Sequence, residues 1–600
     1  MEPQTVPAVF IKTVDRFEDR VALREKEYGL WREITWKEFG RSVRWACLGM
    51  VALGLEKGQR VSIISENNPE WFIADLGVQS AGGITVGIYT TNSPFELKYI
   101  VEHSESRILH VQDEEQLDKV LEVREELPCL EWIVVFDMEG LRKFRDDRVM
   151  SFEALLELGK AYEPDHPGLY EKLVQNVGPD DIAIFIYTSG TTGMPKAAML
   201  SHSNIVWTNR VLNRLWNTST SDEFLSFLPL AHIAERNVSF FGPLLSGAVV
   251  NFAENMETVP EDMREVQPTI FFAVPRIWEK FYSSVFLAMK DAIWIARTAF
   301  RWATNLGKQV AELRLAHQPV PFWLRVRHLI ADWLVFRNIR RTLGMDRARV
   351  LVSGGAPVSP EILKFFHGMG VELREVYGQT EDCGPTTIHA DGDIVIGTVG
   401  KPIPGIEVKI AEDGEILVKG SNVFQGYFKN PELTAETMID GWMHSGDIGE
   451  FDGQGNLKIT DRKKDIIITS GGKNITPQHI ENELKFSPYI NDAVVIGDGR
   501  KYLTALIMLD EENIMKYAQD ERIPFTTYKS LTEASEIQKL VQGEVDSVNS
   551  RLARVEQIKV FRLLDIKLTS EDGELTATMK LKRRYINEKY KNVIDSMYRG

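Results

Sequence analysis

Tyr187-Thr188-Ser189-Gly190-Thr191-Thr192-Gly193-Met194-Pro195-Lys196 is a hydroxyl- and glycine-rich loop ending in a lysine, which is the chemistry needed to hold a polyphosphate. Its hydroxyls offer donors, Gly190 and Gly193 let backbone N–H groups close on phosphate oxygens, and Lys196 brings a mobile positive charge. The bland alternative is a polar surface turn. An apolar run, 182–187, precedes the loop and another, 197–200, follows it, while Ser203 is placed to cap a helix from Asn204. The segment therefore reads strand, loop, strand. A Walker A loop carries a Gly-Lys pair and runs straight into a helix. Here Gly190, Gly193 and Lys196 are evenly spaced without that pair, which argues against an ordinary P-loop nucleotidase.

The surrounding chain is long enough for two or more cores: 600 residues, of which 44% are hydrophobic and 10% aromatic. Three widely separated cysteines, Cys47, Cys129 and Cys383, make neither a disulfide framework nor a zinc site and fit a reducing, cytoplasmic setting. The opening residues have no basic n-region or apolar core of a leader, and no apolar stretch reaches the roughly eighteen residues of a membrane span. The formal charge of −16 disfavours nucleic acid as a partner.

That acidity is uneven. Residues 276–349 carry fourteen Lys/Arg against five Asp/Glu, a local excess of nine positive charges. The same stretch holds Trp278, Phe281, Tyr282, Phe286, Trp294, Phe300, Trp302, Phe322, Trp323, Trp333 and Phe336 at helical spacing broken at Pro319 and Pro321. Two readings stand side by side: a basic amphipathic insertion lying against the inner face of a membrane, or aromatics packed into the core beneath solvated arginines. Attraction of a polyanionic cosubstrate is compatible with either.

Alternating elements (a helical run at 36–54, a strand at 60–64, a helix at 69–81, a strand at 84–88) argue an α/β architecture with parallel pairing. The alternation returns at 350–376: a strand at 350–352, a tight turn Ser353-Gly354-Gly355-Ala356-Pro357, a helix opened by Ser359-Pro360-Glu361, and a returning strand at 371–376. Such a βαβ unit puts its loops at the carboxyl ends of the strands, where open α/β sheets bind ligands. Beyond 394, frequent glycines and short strands suggest a β-rich subdomain. The charged joint Asp461-Arg462-Lys463-Lys464-Asp465 then precedes a strand at 466–468 and a helix at 477–486 of a fresh α+β unit.

Two further clusters carry chemistry. Tyr377-Gly378-Gln379-Thr380-Glu381 follows the returning strand, offering an aromatic face for a purine and a lone carboxylate of the sort that shares Mg²⁺ with phosphates. Asp440-Gly441-Trp442-Met443-His444-Ser445-Gly446-Asp447 leaves Asp447 after a glycine, positioned to accept from ribose hydroxyls, or else forms a plain hairpin turn. With the opening loop, in this order and spacing, these segments resemble the AMP-forming acyl-adenylate superfamily over essentially the whole chain. The run 440–469, Pro229-Leu230-Ala231-His232-Ile233-Ala234-Glu235-Arg236 and the basic insertion resemble its long-chain fatty-acid CoA ligases in particular.

The resemblance implies the fold of acyl-adenylate-forming enzymes. A large N-terminal domain, 1–460, would hold the α/β subdomains and the β-rich one, followed by a hinge at 461–465 and a small mobile α+β domain, 466–600. It implies ATP, Mg²⁺ and coenzyme A as cosubstrates and cofactor, and a fatty acid as substrate. Thr188, Ser189, Gly190, Thr191, Thr192, Gly193 and Lys196 would hold the β- and γ-phosphates. Gly354, Gly355, Ala356 and Pro357 would wall the adenine, with Tyr377 against its face and Gly378 and Gln379 in the same nucleotide site. Thr380 would meet the α-phosphate, Glu381 would hold Mg²⁺, and Asp447 and Arg462 would bind the ribose. His232 would stand where acyl pocket and thiol channel meet, and Lys580 would be the catalytic lysine, although Met579 replaces the family's preceding glycine; the nearby basic residues Lys582, Arg583 and Arg584 make Lys582 the alternative register. Lys464 would be the hinge residue and Gly471, Gly472 and Lys473 would border the CoA channel. Arg236 occupies the place of a tryptophan gate, free to attract a carboxylate or to pair with Glu235 or Glu254. The competing expectations are an acyl-AMP ligase loading a carrier protein, a CoA ligase for another hydrophobic or aryl acid, and a non-catalytic lipid- or nucleotide-binding relative. Oligomeric state is not read from the sequence.

Overall fold

The computed structural model describes residues 4–188, 194–463, 466–566, 568, 574–575 and 581–599. The α/β expectation holds. Seven strands form one sheet in the order Val149–Ser151, Trp132–Val135, Ser106–Val111, Arg60–Ile64, Ile84–Ile88, Ile182–Thr188, Lys196–Ser201. All neighbours are parallel except the last pair, in which Thr188 faces Lys196 across an antiparallel ladder. The central strands Arg60–Ile64 and Ile84–Ile88 are almost wholly buried, as expected of parallel strands covered on both faces.

The helix after Lys196–Ser201 begins two residues earlier than the sequence suggests. Ser201, not Ser203, is the cap: its Oγ accepts from the Asn204 N–H at 3.2 Å while the Asn204 side chain accepts from the Ser201 N–H at 3.0 Å, opening helix His202–Leu215. Two serines stood close enough to cap, and the reciprocal reach of Asn204 selects the first.

A second sheet pairs Ile270–Ala273, Val350–Gly354 and Leu373–Tyr377 in parallel and then turns antiparallel through Thr387–Ile388 and Lys401–Pro402. The strand at 350 thus extends to Gly354, so the turn starts at Gly355. Ser359 does stand before helix Pro360–Gly368, but its side chain makes no capping bond. A third sheet joins Glu223–Ser226, Val249–Phe252, Val21–Glu27 and Leu30–Thr35.

The glycine-rich stretch builds an antiparallel sheet from Ile406–Ile410, Glu415–Gly420, Trp442–Phe451 and Met438–Ile439, with Leu457–Arg462 paired to Trp442–Phe451. Its inner residues Ile416, Val418, Met443 and Leu457 join the same apolar core as Val61 and Ile186 of the seven-stranded sheet. By contrast, the core around the antiparallel pair Ile490–Ile496 and Leu503–Leu509 draws only on residues from Ile467 onward. Phe486 reaches back to Tyr282, with ring centroids 5.5 Å apart.

The 276–349 stretch is helical: Pro275–Asp291, Trp294–Leu315, Phe322–Ala331, a π-helical segment Asp332–Phe336, and Arg337–Thr342. Its aromatics divide. Trp278, Phe281, Phe300 and Phe336 are buried, whereas Trp294, Phe322, Trp323 and Trp333 stand in solvent. Among the described residues no helix is long and apolar enough to cross a membrane.

Candidate active site

Carboxyl ends of the two parallel sheets open onto one cleft of about 1820 Å³. Thr188, Met194, Pro195 and Lys196 line it from the first sheet; Ser189, Gly190, Thr191, Thr192 and Gly193 lie outside the described residues. The Tyr99 hydroxyl donates to the Pro195 carbonyl at 3.1 Å, tying the loop's end to the helix Pro94–Ser104. Lys196 Nζ sits 5.5 Å above the Tyr427 ring.

From the second sheet come Gly354, Gly355, Gly378, Gln379, Thr380 and Glu381, all lining the cleft. Gly378 has no alternative, because a Cβ there would fall 1.5 Å from the Gly384 carbonyl oxygen. The turn after it is held by Asp382, whose Oδ1 accepts from the Gln379 N–H at 2.6 Å and whose Oδ2 accepts from the Thr386 hydroxyl. Burial pushes the Asp382 carboxyl well above the usual range, against the opposing pull of those two bonds. Glu381 Oε1 accepts from the Tyr427 hydroxyl at 2.7 Å. Burial and the adjacent Glu381 charge both raise the Tyr427 phenol, so it remains a donor throughout the working pH range.

Asp447 and Arg462 are opposite one another in the antiparallel pair Trp442–Phe451 and Leu457–Arg462. Arg462 Nε lies 3.1 Å from Asp447 Oδ1, while Tyr377 Oη at 2.8 Å and Gln379 Nε2 at 2.5 Å both donate to Oδ2. Arg462 lines the cleft; Tyr377 and Asp447 are buried, 7% and 5% exposed, whereas Ala356 is half-buried and Pro357 exposed. Beside them Glu415 accepts from His444 Nδ1 at 3.1 Å, the Gly446 N–H at 2.9 Å and Lys463 Nζ at 3.2 Å. Burial raises the Glu415 carboxyl, but these three donors outweigh it and hold it below its usual value.

His232 also lines the cleft, and its Nδ1 accepts from the Ala234 N–H at 3.1 Å, so in the neutral ring the proton is on Nε2. Arg236 does not line it. This residue is fully buried, 3.5 Å from Asp75, stacked over Trp71 at 4.5 Å, with Nε donating to the Leu230 carbonyl at 3.0 Å. Expectations of a substrate-attracting Arg236, or of its pairing with Glu235 or Glu254, are corrected by that contact: a buried guanidinium needs the nearest buried carboxylate, and that is Asp75. Glu235 instead accepts from Ser226 Oγ at 2.8 Å, and burial raises its carboxyl to about 7. Leu212, Trp216, Phe227, Val238, Phe272 and Val352 give the same cleft an apolar part of its lining.

The candidates from the C-terminal part of the chain are distributed differently. Lys580 and Lys464 lie outside the described residues. Lys582 lines the cleft mouth, 4.0 Å from Glu96. Gly471, Gly472 and Lys473 form an exposed turn, closed by Thr469 N–H to the Lys473 carbonyl at 3.0 Å, and do not line the cleft. Sequence reasoning missed Tyr427 and Asp382, which orient Glu381 and its turn. Tyr427 contacts Glu381 across 46 residues of chain, a partnership without local signal; only the positive φ of the preceding Gly426 marks that turn.

The family model of AMP-binding enzymes matches residues 10–428, and that of the AMP-binding enzyme C-terminal domain matches 464–600. The chain belongs to the AMP-binding enzyme family. Within it, the long-chain-fatty-acid–CoA ligase ACSBG2 of Xenopus laevis is 34% identical over 630 residues, covering 100% of this chain and 84% of that protein. The long-chain-fatty-acid–CoA ligase FadD15 of Mycobacterium tuberculosis is 33% identical over 585 residues, covering 95% and 93%. Among solved structures, the anthranilate CoA ligase AuaEII in complex with anthranoyl-AMP superposes with a TM-score of 0.74 at 19% identity, covering 99% of each chain. The o-succinylbenzoate CoA synthetase MenE of Bacillus subtilis, in complex with its acyl-adenylate OSB-AMP, gives 0.69 at 21% identity over 96% and 97%. These structures share the AMP-binding family's fold, a large N-terminal domain followed by a small C-terminal one.

Proposed function

We propose that this chain activates a long-chain fatty acid with ATP and passes the acyl group to coenzyme A. In the first step a carboxylate oxygen attacks the α-phosphorus, the bond to pyrophosphate breaks, and acyl-AMP remains. In the second the coenzyme A sulfur attacks the acyl carbon, the bond to AMP breaks, and the thiol proton passes to solvent. Activation is required because a carboxylate has a resonance-deactivated carbonyl and a poor leaving group, and splitting the reaction replaces one hard step with two easier ones. The observation that carries this reading is one cleft lined both by Lys196, Thr380, Glu381 and Arg462 and by the apolar side chains of Leu212, Trp216, Phe227, Val238, Phe272 and Val352.

In this reading Thr188, the loop 189–193 and Lys196 clamp the departing pyrophosphate. Gly354, Gly355, Ala356 and Pro357 wall the adenine, with Tyr377 against its face and Gly378 and Gln379 completing the nucleotide site. Arg462 and Asp447 take the ribose hydroxyls, the carboxylate being oriented by Tyr377 and Gln379. Thr380 donates to the α-phosphate. Glu381, a single carboxylate beside the phosphate region, fits Mg²⁺, which prefers few protein oxygens together with substrate oxygens. When bound, that ion would offset phosphate charge. Lys580 is assigned to the charge that develops between carboxylate and phosphate, an electrostatic role. His232 marks the junction at which thiol meets acyl group. Lys464 in the 461–465 hinge would let the domain 466–600 turn so that Gly471, Gly472 and Lys473 border the pantetheine path for the second step. Enclosure keeps water from the acyl-AMP.

The test is AMP release with acids ranging from acetate through palmitate to benzoate, with and without coenzyme A. Sustained turnover confined to long acids and dependent on coenzyme A is expected. Turnover with only short or aromatic acids, or with a carrier protein but not coenzyme A, would sink the long-chain CoA ligase reading.

A further inference from the structure

Helix Pro275–Asp291 runs from the cleft to the C-terminal part of the chain. Its first turns supply Arg276, Ile277, Lys280 and Phe281 to the cleft lining. Its last two residues meet helix Glu511–Asp520, whose Ile514 and Ala518 belong to the separate apolar core built from Ile467 onward. Lys290 Nζ lies 3.3 Å from Asp520 Oδ2 and 5.7 Å from the Tyr517 ring centroid, and Asp291 pairs with Lys516. Lys516 and Asp520, four residues apart, share one face of their helix. The two pairs therefore form a clasp to which each helix gives one charge of either sign.

Between the clasp and the cleft, the Arg276 guanidinium donates to Asn491 Oδ1, and Phe486 packs with the core of Phe281 and Phe300, its ring centroid 5.5 Å from that of Tyr282. In this arrangement Lys582, Arg584, Tyr585 and Glu588 line the cleft, whereas Gly471, Gly472 and Lys473 do not. That is the orientation the first step calls for, with the C-terminal segment that carries the assigned lysine turned to the cleft and the assigned border of the pantetheine path turned away.

On the two-step reading above, we propose that Lys290, Asp291, Lys516 and Asp520 are positioning residues for adenylation: their clasp holds the C-terminal unit over the cleft for the first step and lets go for the second. The strength of the contact suits that task. Lys290, Asp291 and Asp520 are exposed and Lys516 is half-buried, and exposed pairs bias an equilibrium severalfold without locking it. A fully buried pair would resist separation far more and would hold the unit in place when the second step needs it moved. The alternation of sign also selects one register. Sliding helix Glu511–Asp520 by one turn would set Lys516 beside Lys290, like charge against like. Because the same helix walls the cleft at its other end, one rigid element ties cleft to clasp.

Exchanging the two charges on one helix, Lys290→Asp/Asp291→Lys, sets like against like at both pairs without altering the net charge. Exchanging their partners as well, Lys516→Asp/Asp520→Lys, restores both. In the full chain, exchange of pyrophosphate into ATP with palmitate reports adenylation, and thioester formation from supplied palmitoyl-AMP reports the second step. Trypsin nicking after Lys463 in the joint reports the orientation without any turnover. The first exchange is expected to slow adenylation by roughly fivefold or more, about 1 kcal/mol, to leave thioester formation unslowed, and to speed nicking. The fourfold variant is expected to return adenylation and nicking to within about twofold of wild type, with melting curves alike in all three proteins. Adenylation unchanged by the first exchange, equal loss in both steps, or no recovery in the fourfold variant would overturn the proposal. A wild type without acid-dependent exchange would count against the ligase reading, and the nicking rates would still decide the clasp: faster in the first variant and restored in the fourfold one supports it, and equal rates in all three overturn it.

Discussion

Replacing Tyr427 by phenylalanine separates the orientation of Glu381 from everything else in the cleft. The ring stays beneath Lys196, while the 2.7 Å bond from the phenol to Glu381 Oε1 is lost. A hydrogen bond to a charged group contributes about 1.5–3 kcal/mol. Because Glu381 lines the open cleft, water can replace the missing donor, which favours the lower end, about 1.5 kcal/mol, or roughly tenfold in a rate or binding constant. If Glu381 holds the Mg²⁺ of Mg·ATP, that loss is expected in kcat/KM for ATP and as a raised Mg²⁺ requirement, with kcat/KM for the fatty acid changed far less. Steady-state kinetics with Mg²⁺ and ATP varied independently would show it, and a thermal melt would report the global cost, about 1 kcal/mol for one buried hydrogen bond. An ATP kcat/KM within about twofold of wild type, with the same Mg²⁺ dependence, would refute the idea that Tyr427 orients a functional Glu381.

The lysine assignment predicts that Lys580→Ala abolishes acyl-AMP formation but leaves thioester formation from supplied acyl-AMP largely intact, while Lys582→Ala retains most adenylation; the reverse pattern in the two half-reactions would move the role to Lys582. Lys464→Pro is expected to spare adenylation and collapse thioester formation, measured separately by single turnover, and equal loss of both would argue against a hinge there. His202 gives a pH prediction. Burial, with a smaller push from Lys57 and an opposing pull from Asp181, lowers its imidazole from 6.5 to about 3. The neutral ring's contribution is therefore fully present above pH 6.5 and is lost as pH falls toward 3, by up to about 5 kcal/mol. His202→Asn is expected to flatten that acid limb in denaturant titrations, and an unchanged limb would remove His202 as its source.

What the sequence makes legible here follows from local periodicity. The strand–loop–strand around Lys196 and the βαβ unit at 350–376 are short, regular and bounded by glycine or proline, and both stand in the fold nearly as read. Tyr427 with Glu381, and Arg236 with Asp75, are joined only through the tertiary fold, so no window of sequence contains both partners. Choosing between Ser201 and Ser203 as a cap depended on the reach of one asparagine side chain. The orientation of the helical stretch 322–336 was not legible for a different reason. Periodicity locates an apolar face without saying which way it points, and here the broad aromatic face turns outward while Leu324, His328 and Ala331 pack inward. Composition alone offered membrane contact and core packing as rivals, whereas the helices bury Trp278, Phe281, Phe300 and Phe336 and leave Trp294, Phe322, Trp323 and Trp333 exposed.

The central claim is that the cleft forms an acyl adenylate, and exchange of labelled pyrophosphate into ATP without coenzyme A isolates that step from all that follows. Exchange that requires the purified chain and a long-chain fatty acid such as palmitate, and that disappears in Lys580→Ala, is the predicted result. Absence of acid-dependent exchange in an otherwise folded, ATP-binding protein would contradict it.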